Sequence, residues 1–240
     1  MSEVLLGPGF AHLFGTDGFG NDLFRQCLGA AVITIIRVLG AWLFVAVPAV
    51  VLSLRLGSTR SAGMRGVHSL VEALGGIPPL FVLLLASFFG VNRMGEQTVV
   101  IWIVLLPEAI RRITEAVADT NRQPFIAAAR DLGLEEPVVR RWYILPAIAE
   151  SIRALALAMA FRILVFDITL GFLGYGRVAA LVSFGELFRN NRSLFLLPHS
   201  GTGHVLPALV FGVVLTILAI RVLVLLFSAF SIRRITGGDV

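Results

Sequence analysis

Residues 205–230 read VLPALVFGVVLTILAIRVLVLLFSAF, and Arg221 is the only charged residue among them. A helix needs about 20 apolar residues to cross the hydrocarbon core of a bilayer, so this stretch predicts a membrane span. The whole chain has a similar character, being 57% hydrophobic and 15% charged with a mean hydropathy of +0.90. A soluble domain is about a quarter charged. The composition therefore predicts an all-α, polytopic transmembrane helix bundle embedded in a lipid bilayer.

Four further apolar stretches bring the expected number of spans to about five. They cover roughly 31–54, 69–91, 98–106 and 147–173. The second is interrupted by GGIPP and should begin near Ile77, because proline kinks a helix. The third continues into PEAIRRITEAVADT, so that helix should leave the membrane around Glu108 to Arg112. We expect one transmembrane domain over residues 1–240, with residues 1–30 as an outer N-terminal segment and no cleavable signal peptide.

Charge predicts the orientation of the chain. All 20 basic residues are arginine, and eleven of them fall in segments on one side of the spans against five on the other. The arginine-rich side faces the cytoplasm by the positive-inside rule. We therefore expect a bacterial or archaeal cytoplasmic (inner) membrane protein with its N-terminus outside and its C-terminus inside. The pI of about 10.8 is not a sign of nucleic-acid binding, since the arginines lie between hydrophobic runs.

The cytoplasmic region 111–146 contains the most polar part of the chain, AAARDLGLEEPVVRRWYILP at 127–146. PFIAAARDL favours a helix, Gly133 suits the left-handed residue that ends one, and Glu135, Glu136 and Pro137 favour the start of another. We predict a helix–turn–helix whose second helix ends at Leu145-Pro146. A capped loop without any further role is one reading. Exposed Trp142 and Tyr143 would also suit docking into a partner.

This stretch resembles the EAA loop of ABC-importer permeases. The pattern is Glu-Ala-Ala, three residues, Gly, nine residues, Ile, one residue, Leu-Pro. Alanine stands here at the glutamate position and tyrosine at the isoleucine position. In that family the loop is a coupling helix that seats in the ATPase subunit. By this resemblance the coupling residues are Ala127, Ala128, Ala129, Gly133, Arg140, Arg141, Tyr143, Leu145 and Pro146.

Three other stretches are similar to the C-type permease subunit of dipeptide, oligopeptide and nickel importers. FGTDGFGND at 14–22 resembles LGTDxxGRD, GIPPLFVLLL at 76–85 resembles an Ile-Pro-Pro span opening, and LGFLGYG at 170–176 resembles Leu-Ser-Phe-Leu-Gly-Leu-Gly. The resemblance implies peptide or metal-chelate transport as half of a translocation path. It also implies four partners: a second permease, two cytoplasmic ATPase subunits that carry ATP and Mg, and an external substrate-binding protein. Family members usually have one more span before the GTD segment, and the loop after Gly176 is divergent.

The residues also leave rival sites open. A GxxxxGK[ST] phosphate loop cannot exist here because the chain has no lysine, so we expect no ATP hydrolysis on this chain and no cofactor bound by it. His199 and His204, with His12, are candidate metal ligands of a membrane enzyme. A degenerate subunit that only scaffolds an assembly is another reading. Asp17 and Asp22 indicate turn chemistry rather than a catalytic pair. Arg162 and Asp167, charged within span four, are candidates for a translocation path or subunit interface.

Overall fold

Helices account for nearly all of the regular structure. The computed structural model describes residues 4–56, 62–175, 182–196 and 203–236, and in that part of the chain the β pairing is a single bridge from Thr16 to Asp22. The helices are α1 (Leu23–Ala41), a π turn (Trp42–Ala46), α2 (Val47–Leu56), α3 (Ala62–Gly75), α4 (Pro79–Phe88), α5 (Met94–Asn121), α6 (Pro124–Asp131), α7 (Glu136–Val139), a second π turn (Arg140–Ile144), α8 (Leu145–Ala147), α9 (Ala149–Phe172), α10 (Phe184–Asn190), α11 (Arg192–Leu196) and α12 (Val205–Thr236). The prediction of an all-α fold is confirmed.

Among the described residues, three helical segments are long and apolar enough to cross a membrane: Leu23–Arg55, Ala149–Phe172 and Val205–Leu226. They correspond to the first, fourth and fifth predicted spans. The second predicted span contains the shorter apolar helix α4, and the third lies within α5, which runs unbroken through Pro107. The chain is thus a multi-pass membrane protein, while the count of five spans stays a prediction.

The first span begins earlier than the predicted residue 31. The side chain of Asp22 accepts hydrogen bonds from the backbone N–H groups of Phe24 (2.8 Å) and Arg25 (3.1 Å). An acidic residue at this position caps a helix, because it satisfies donors that have no partner within the first turn. The helix therefore starts at Leu23, directly after the GTD segment.

Both π turns immediately precede a proline-containing pair. Val47-Pro48 comes directly after the first π turn, and Leu145-Pro146 comes directly after the second. At the second, Leu145 N–H donates to the Arg140 carbonyl, five residues back. The extra residue carries the helix past a proline that would otherwise clash with the preceding turn. The predicted helix end at Leu145-Pro146 is therefore wrong: helical backbone continues to Ala147, and the break falls at Ile148.

The chain divides into two compact units, and the expectation of a single domain stays a prediction. The first unit comprises Met1–Val38, Ala86–Thr98 and Ala160–Val240, and the second comprises Leu39–Leu85 and Val99–Met159. The first has an apolar core formed by α1, α9, α10 and α12, and its buried members are Leu23, Cys27, Ala30, Leu164, Phe184, Leu187, Val205, Ala208 and Leu209. The single cysteine of the chain, Cys27, is thus a packed core residue.

Close helix contacts hold the second unit together. The Trp102 ring stacks on Phe44 at 5.1 Å, and a Cβ added to Gly40 would lie 2.3 Å from the same indole. Two hydroxyl groups add polar ties between helices: Ser53 donates to the Ile110 carbonyl at 3.1 Å, and Thr114 donates to the Ser53 hydroxyl at 3.0 Å. Small residues and hydroxyls of this kind let membrane helices approach one another closely.

Candidate coupling surface and buried ion pair

The segment from Pro124 to Pro146, called here the coupling segment, contains two helices with Gly133 between them. Gly133 has a φ of +82°, the left-handed conformation that its sequence context predicted. Its N–H donates to the Arg130 carbonyl at 2.9 Å, and the Leu134 N–H donates to the Ala129 carbonyl at 3.3 Å. These two bonds form the Schellman motif that closes a helix C-terminus. A defined turn therefore separates α6 from α7.

An ion pair that the sequence did not predict ties this segment together. Arg130 Nε donates to Glu136 Oε1 at 2.7 Å, and Arg130 Nη2 donates to Asn121 Oδ1 at 2.9 Å. One guanidinium thus joins the end of α5, the end of α6 and the start of α7. Arg130 is six residues from Glu136 and nine from Asn121, and neither separation matches a helical repeat. The sequence therefore shows the charged residues but not that they meet. This ion pair lies in the same stretch in which Ala127 stands at the glutamate position of the EAA pattern.

The coupling segment buries one side and exposes apolar groups on the other. Its inner residues, all at most 3% exposed, are Ile126, Ala129, Val139 and Ile144. Its exposed apolar side chains are Phe125 (47%), Leu132 (81%), Val138 (37%), Trp142 (50%) and Tyr143 (37%). Large apolar side chains exposed on a rigid element are typical of a surface that binds a partner. The structure adds Phe125, Leu132 and Val138 to the aromatic pair singled out from the sequence.

The other coupling residues predicted from the sequence differ in exposure. Ala127 and Ala128 are exposed on α6, and Pro146 is exposed after the second π turn. Arg140 and Leu145 are half-buried. The Arg141 guanidinium lies 5.7 Å from the centroid of the Trp142 ring. Ala129 faces inward with Ile126, so only part of the predicted set belongs to the exposed surface.

A buried ion pair lies in the first unit. Arg37 of α1 donates from Nη1 to Asp167 Oδ1 of α9, and each side chain is only 5% exposed. Asp167 is a site residue predicted from the sequence, whereas Arg37 was visible there only as a charge in the first span. Arg162 lies half-buried on the same helix as Asp167. The sequence does show two opposite charges within apolar segments. It does not show that they form a pair, because the two residues are 130 positions apart.

The GTD segment is a tightly bonded turn. Asp17 Oδ1 accepts from the N–H groups of Phe19 (2.9 Å) and Asn21 (2.8 Å), and Asp17 Oδ2 accepts from Gln26 Nε2 (2.9 Å). Asp22 caps α1 and also lies 2.8 Å from His12 Nδ1. The turn formed around Asp17 agrees with the turn chemistry predicted from the glycine-rich context, whereas the helix cap formed by Asp22 was not predicted.

The histidines proposed as metal ligands have other partners. His204 Nε2 donates to the Thr16 carbonyl at 3.2 Å, and His12 binds Asp22. Within the described ranges, no three or more His, Cys, Asp or Glu side chains are grouped so as to hold a metal ion. His199 lies outside the described residues. His204 therefore fastens the GTD turn to the start of α12.

The sequence of the chain was compared with protein-family models and with curated proteins. No family model matches the chain. A dipeptide transport system permease protein, DppC of Alkalihalophilus pseudofirmus, is 28% identical over 196 residues, which are 80% of this chain and 63% of that protein. A Brucella suis protein assigned as a peptide permease is 27% identical over 199 residues, 79% of this chain and 63% of its own length. The chain thus spans less than two thirds of the length of these curated relatives.

The fold of the chain resembles that of a chain in a solved ABC transporter. The chain superposes on a chain of the MetNI methionine ABC transporter in an inward-facing conformation with a TM-score of 0.60. The match covers 89% of this chain and 95% of the other at 17% identity, so it bears on fold alone. The chain is therefore similar in sequence to peptide and dipeptide permeases, and it has the all-helical fold of a chain of an ABC transporter.

Proposed function

We propose that this chain is a transmembrane permease subunit of an ABC importer and forms half of the translocation path for a small solute such as a peptide or metal chelate. The observation that carries the proposal is the coupling segment, which combines the EAA-like spacing with a rigid, exposed apolar surface. The relatives' names add support, since they describe peptide and dipeptide permeases.

The partners in this proposal are a second permease subunit, two cytoplasmic ATPase subunits and an external substrate-binding protein. ATP and Mg would be held by the ATPase subunits, because a chain without lysine cannot supply a phosphate loop of the GxxxxGK[ST] type. The coupling segment would transmit ATPase closure to the helices. Such coupling requires that the ATPase bind the inward-open and outward-open packings with different affinity.

The first test is co-purification with candidate ATPase subunits from the same organism. Leu132 is 81% exposed, so its side chain can be changed at the surface without disturbing a packed core. We expect Leu132→Ser to reduce ATPase recovery at least ten-fold, the loss typical of an interface hot spot. Phe10→Ser, at an exposed residue of the N-terminal segment, is the matched control.

A second pair of variants distinguishes the effect of losing the turn at Gly133 from the effect of adding a side chain there. Gly133→Pro removes the N–H that bonds to Arg130 and cannot adopt a φ of +82°, whereas Gly133→Asn tolerates that conformation. We expect only the proline variant to lose the ATPase. Equal recovery in all variants would place the ATPase contact elsewhere. ATPase that associates without any solute-stimulated hydrolysis would instead indicate a scaffolding subunit.

A further inference from the structure

An open pocket in the second unit has an unusual lining. Its volume is about 310 Å³, and it is formed by the last turns of α2 and by the second helix of the coupling segment. Three arginines line it together with four apolar residues: Arg55, Arg140, Arg141, Val51, Leu54, Pro137 and Leu145. Arg140, Arg141 and Leu145 are also coupling residues by the EAA resemblance, but that resemblance assigns no ligand to a pocket that combines positive charge with apolar walls.

Three arginines give this pocket its positive charge, and the carboxylate of Glu136 lies against one of them. Glu136 Oε2 lies 3.7 Å from Arg140 Nε, and the other oxygen of that carboxylate is bound by Arg130 at 2.7 Å. A single carboxylate is thus shared by two arginines. Arg55 and Arg141 are exposed at the pocket. Arginine presents a planar fork of donors that suits phosphate oxygens, so the chemistry of the pocket selects an anionic oxygen-rich group.

The position of the pocket indicates where that anion comes from. Arg55 is the last residue of the long apolar span Leu23–Arg55, so the pocket lies at a membrane end of that span. Exposed apolar side chains lead along the same helical segment toward it: Leu43 (59%), Phe44 (58%), Val47 (52%) and Val51 (47%). An apolar stripe ending at a cluster of arginines matches an acyl chain ending at a phosphate headgroup.

We infer that this pocket binds the phosphate headgroup of an anionic phospholipid, with an acyl chain along the exposed stripe of α2. Basic pockets beside membrane helices bind such headgroups through the same charge complementarity. The bound lipid would fasten the second helix of the coupling segment to the membrane surface. The inference rests on the proposed function only for the cytoplasmic placement of the pocket, and it concerns a surface other than exposed Phe125 and Leu132.

The test measures lipid binding to the purified chain without any ATPase. Phosphatidylglycerol is titrated against the chain in phosphatidylcholine nanodiscs, and bound lipid is counted by native mass spectrometry. An arginine near a membrane surface contributes about a five-fold change in affinity. We expect Arg55→Gln and Arg141→Gln each to weaken phosphatidylglycerol binding about five-fold, and the double variant about 25-fold. Arg140 is left unchanged because of its contact with Glu136.

Matched controls distinguish lipid binding in the pocket from non-specific attraction of anionic lipid to the positive charge of the protein. Arg122→Gln removes the same charge from a side chain that is 78% exposed outside the pocket, and it should leave binding unchanged. Val51→Phe keeps every arginine and fills the pocket from an exposed position, so it should weaken binding without altering the fold. Thermal unfolding of each variant shows whether the fold is intact.

Three outcomes would overturn the inference. Equal affinity for phosphatidylglycerol and phosphatidylcholine would show that no anionic headgroup site exists. Equal losses in Arg122→Gln and the pocket variants would show attraction to net charge alone. Displacement of the lipid by inorganic phosphate at equal concentration would make a free anion the ligand. Because no ATPase is present, none of these outcomes bears on ATPase co-purification, and failure of co-purification leaves the lipid result unchanged.

Discussion

The pairing of Arg37 with Asp167 is a buried ion pair between two helices of the first unit. Both side chains are 5% exposed, so neither charge can be solvated when its partner is lost. Removing one member of a buried pair costs about 3–5 kcal/mol, whereas replacing both with apolar residues is often neutral. The pair therefore contributes little net stability, but the loss of either member removes the opposite charge that the other contacts inside the protein.

We predict that Asp167→Leu lowers the stability of the purified protein by about 3–5 kcal/mol and that Arg37→Leu combined with Asp167→Leu restores most of it. Chemical unfolding in detergent, followed by tryptophan fluorescence, measures the difference. Arg93→Leu is the control, because Arg93 is 87% exposed and its contact with Glu96 is 4.0 Å long. A double variant no more stable than the single variant would show that the charges do more than neutralise each other.

Asp22 is expected to make the N-terminal segment sensitive to acid. Burial acts to raise the pKa of this carboxyl, but hydrogen bonds from His12 and from the N–H groups of Arg25 and Phe24 together hold the pKa below its ordinary value. A carboxylate with a lowered pKa in the folded state stabilises the fold above its ordinary pKa of about 4. That contribution is lost as the pH falls through the lowered value.

We therefore predict that the melting temperature of the wild-type chain falls more steeply below about pH 4 than that of Asp22→Asn, which cannot titrate at this position. The asparagine variant should also melt lower at pH 7, since an amide caps and binds His12 more weakly. Asp119→Asn is the comparison at an exposed ion pair, where the effect should be small. Parallel curves for wild type and Asp22→Asn would remove Asp22 from the acid response.

At the scale of elements, glycine allows α9 and α10 to meet backbone to backbone. A Cβ on Gly185 would lie 2.5 Å from the carbonyl oxygens of Asp167 and Ile168, and a Cβ on Gly171 would lie 2.9 Å from the Gly185 Cα. The obstacle in both cases is main chain, which cannot rotate away as a side chain can. The short helix α10 therefore packs directly against the end of α9 because Gly171 and Gly185 have no side chains.

Gly185→Ala should accordingly destabilise the first unit by about 1–3 kcal/mol, the usual cost of an overpacked contact. Gly29→Ala provides the matched control, because a Cβ at that helical position meets nothing within 4 Å. Alanine there should be neutral or slightly stabilising. Limited proteolysis and thermal unfolding report both variants. Indistinguishable behaviour of the two alanine variants would mean that α10 can shift away from α9.

Local signals predicted helix ends better than helix contacts. Gly133 and Asp17 act within a few residues, so their sequence context was sufficient to expect a left-handed helix end and a turn, although it did not reveal the helix cap at Asp22. The helix end expected at Leu145-Pro146 was wrong because a π turn precedes the proline and helical backbone continues to Ala147. The Arg37–Asp167 pair and the arginine pocket depend on which helices are neighbours, and hydrophobic periodicity does not encode that.

At the scale of the whole molecule, orientation in the membrane links the arginine count to the proposed function. An ATPase can reach the coupling segment only from the cytoplasm, so the N-terminal segment must lie outside if the proposal holds. The single cysteine, Cys27, is 4% exposed within the core of the first unit, so the native chain offers little background to thiol reagents. Introduced cysteines can therefore report the side on which each segment lies.

We predict that Phe10→Cys reacts with a membrane-impermeant maleimide added to intact spheroplasts, whereas Arg122→Cys reacts only after the membrane is permeabilised. Phe10 is fully exposed and Arg122 is 78% exposed, so burial should not prevent labelling at either position. The wild-type chain, labelled in parallel, controls for Cys27. The reverse pattern would place the coupling segment outside, where no ATP is available, and the importer proposal would fail together with the positive-inside assignment. Labelling of both variants from outside would instead mean that the helices before Arg122 do not cross the bilayer an odd number of times.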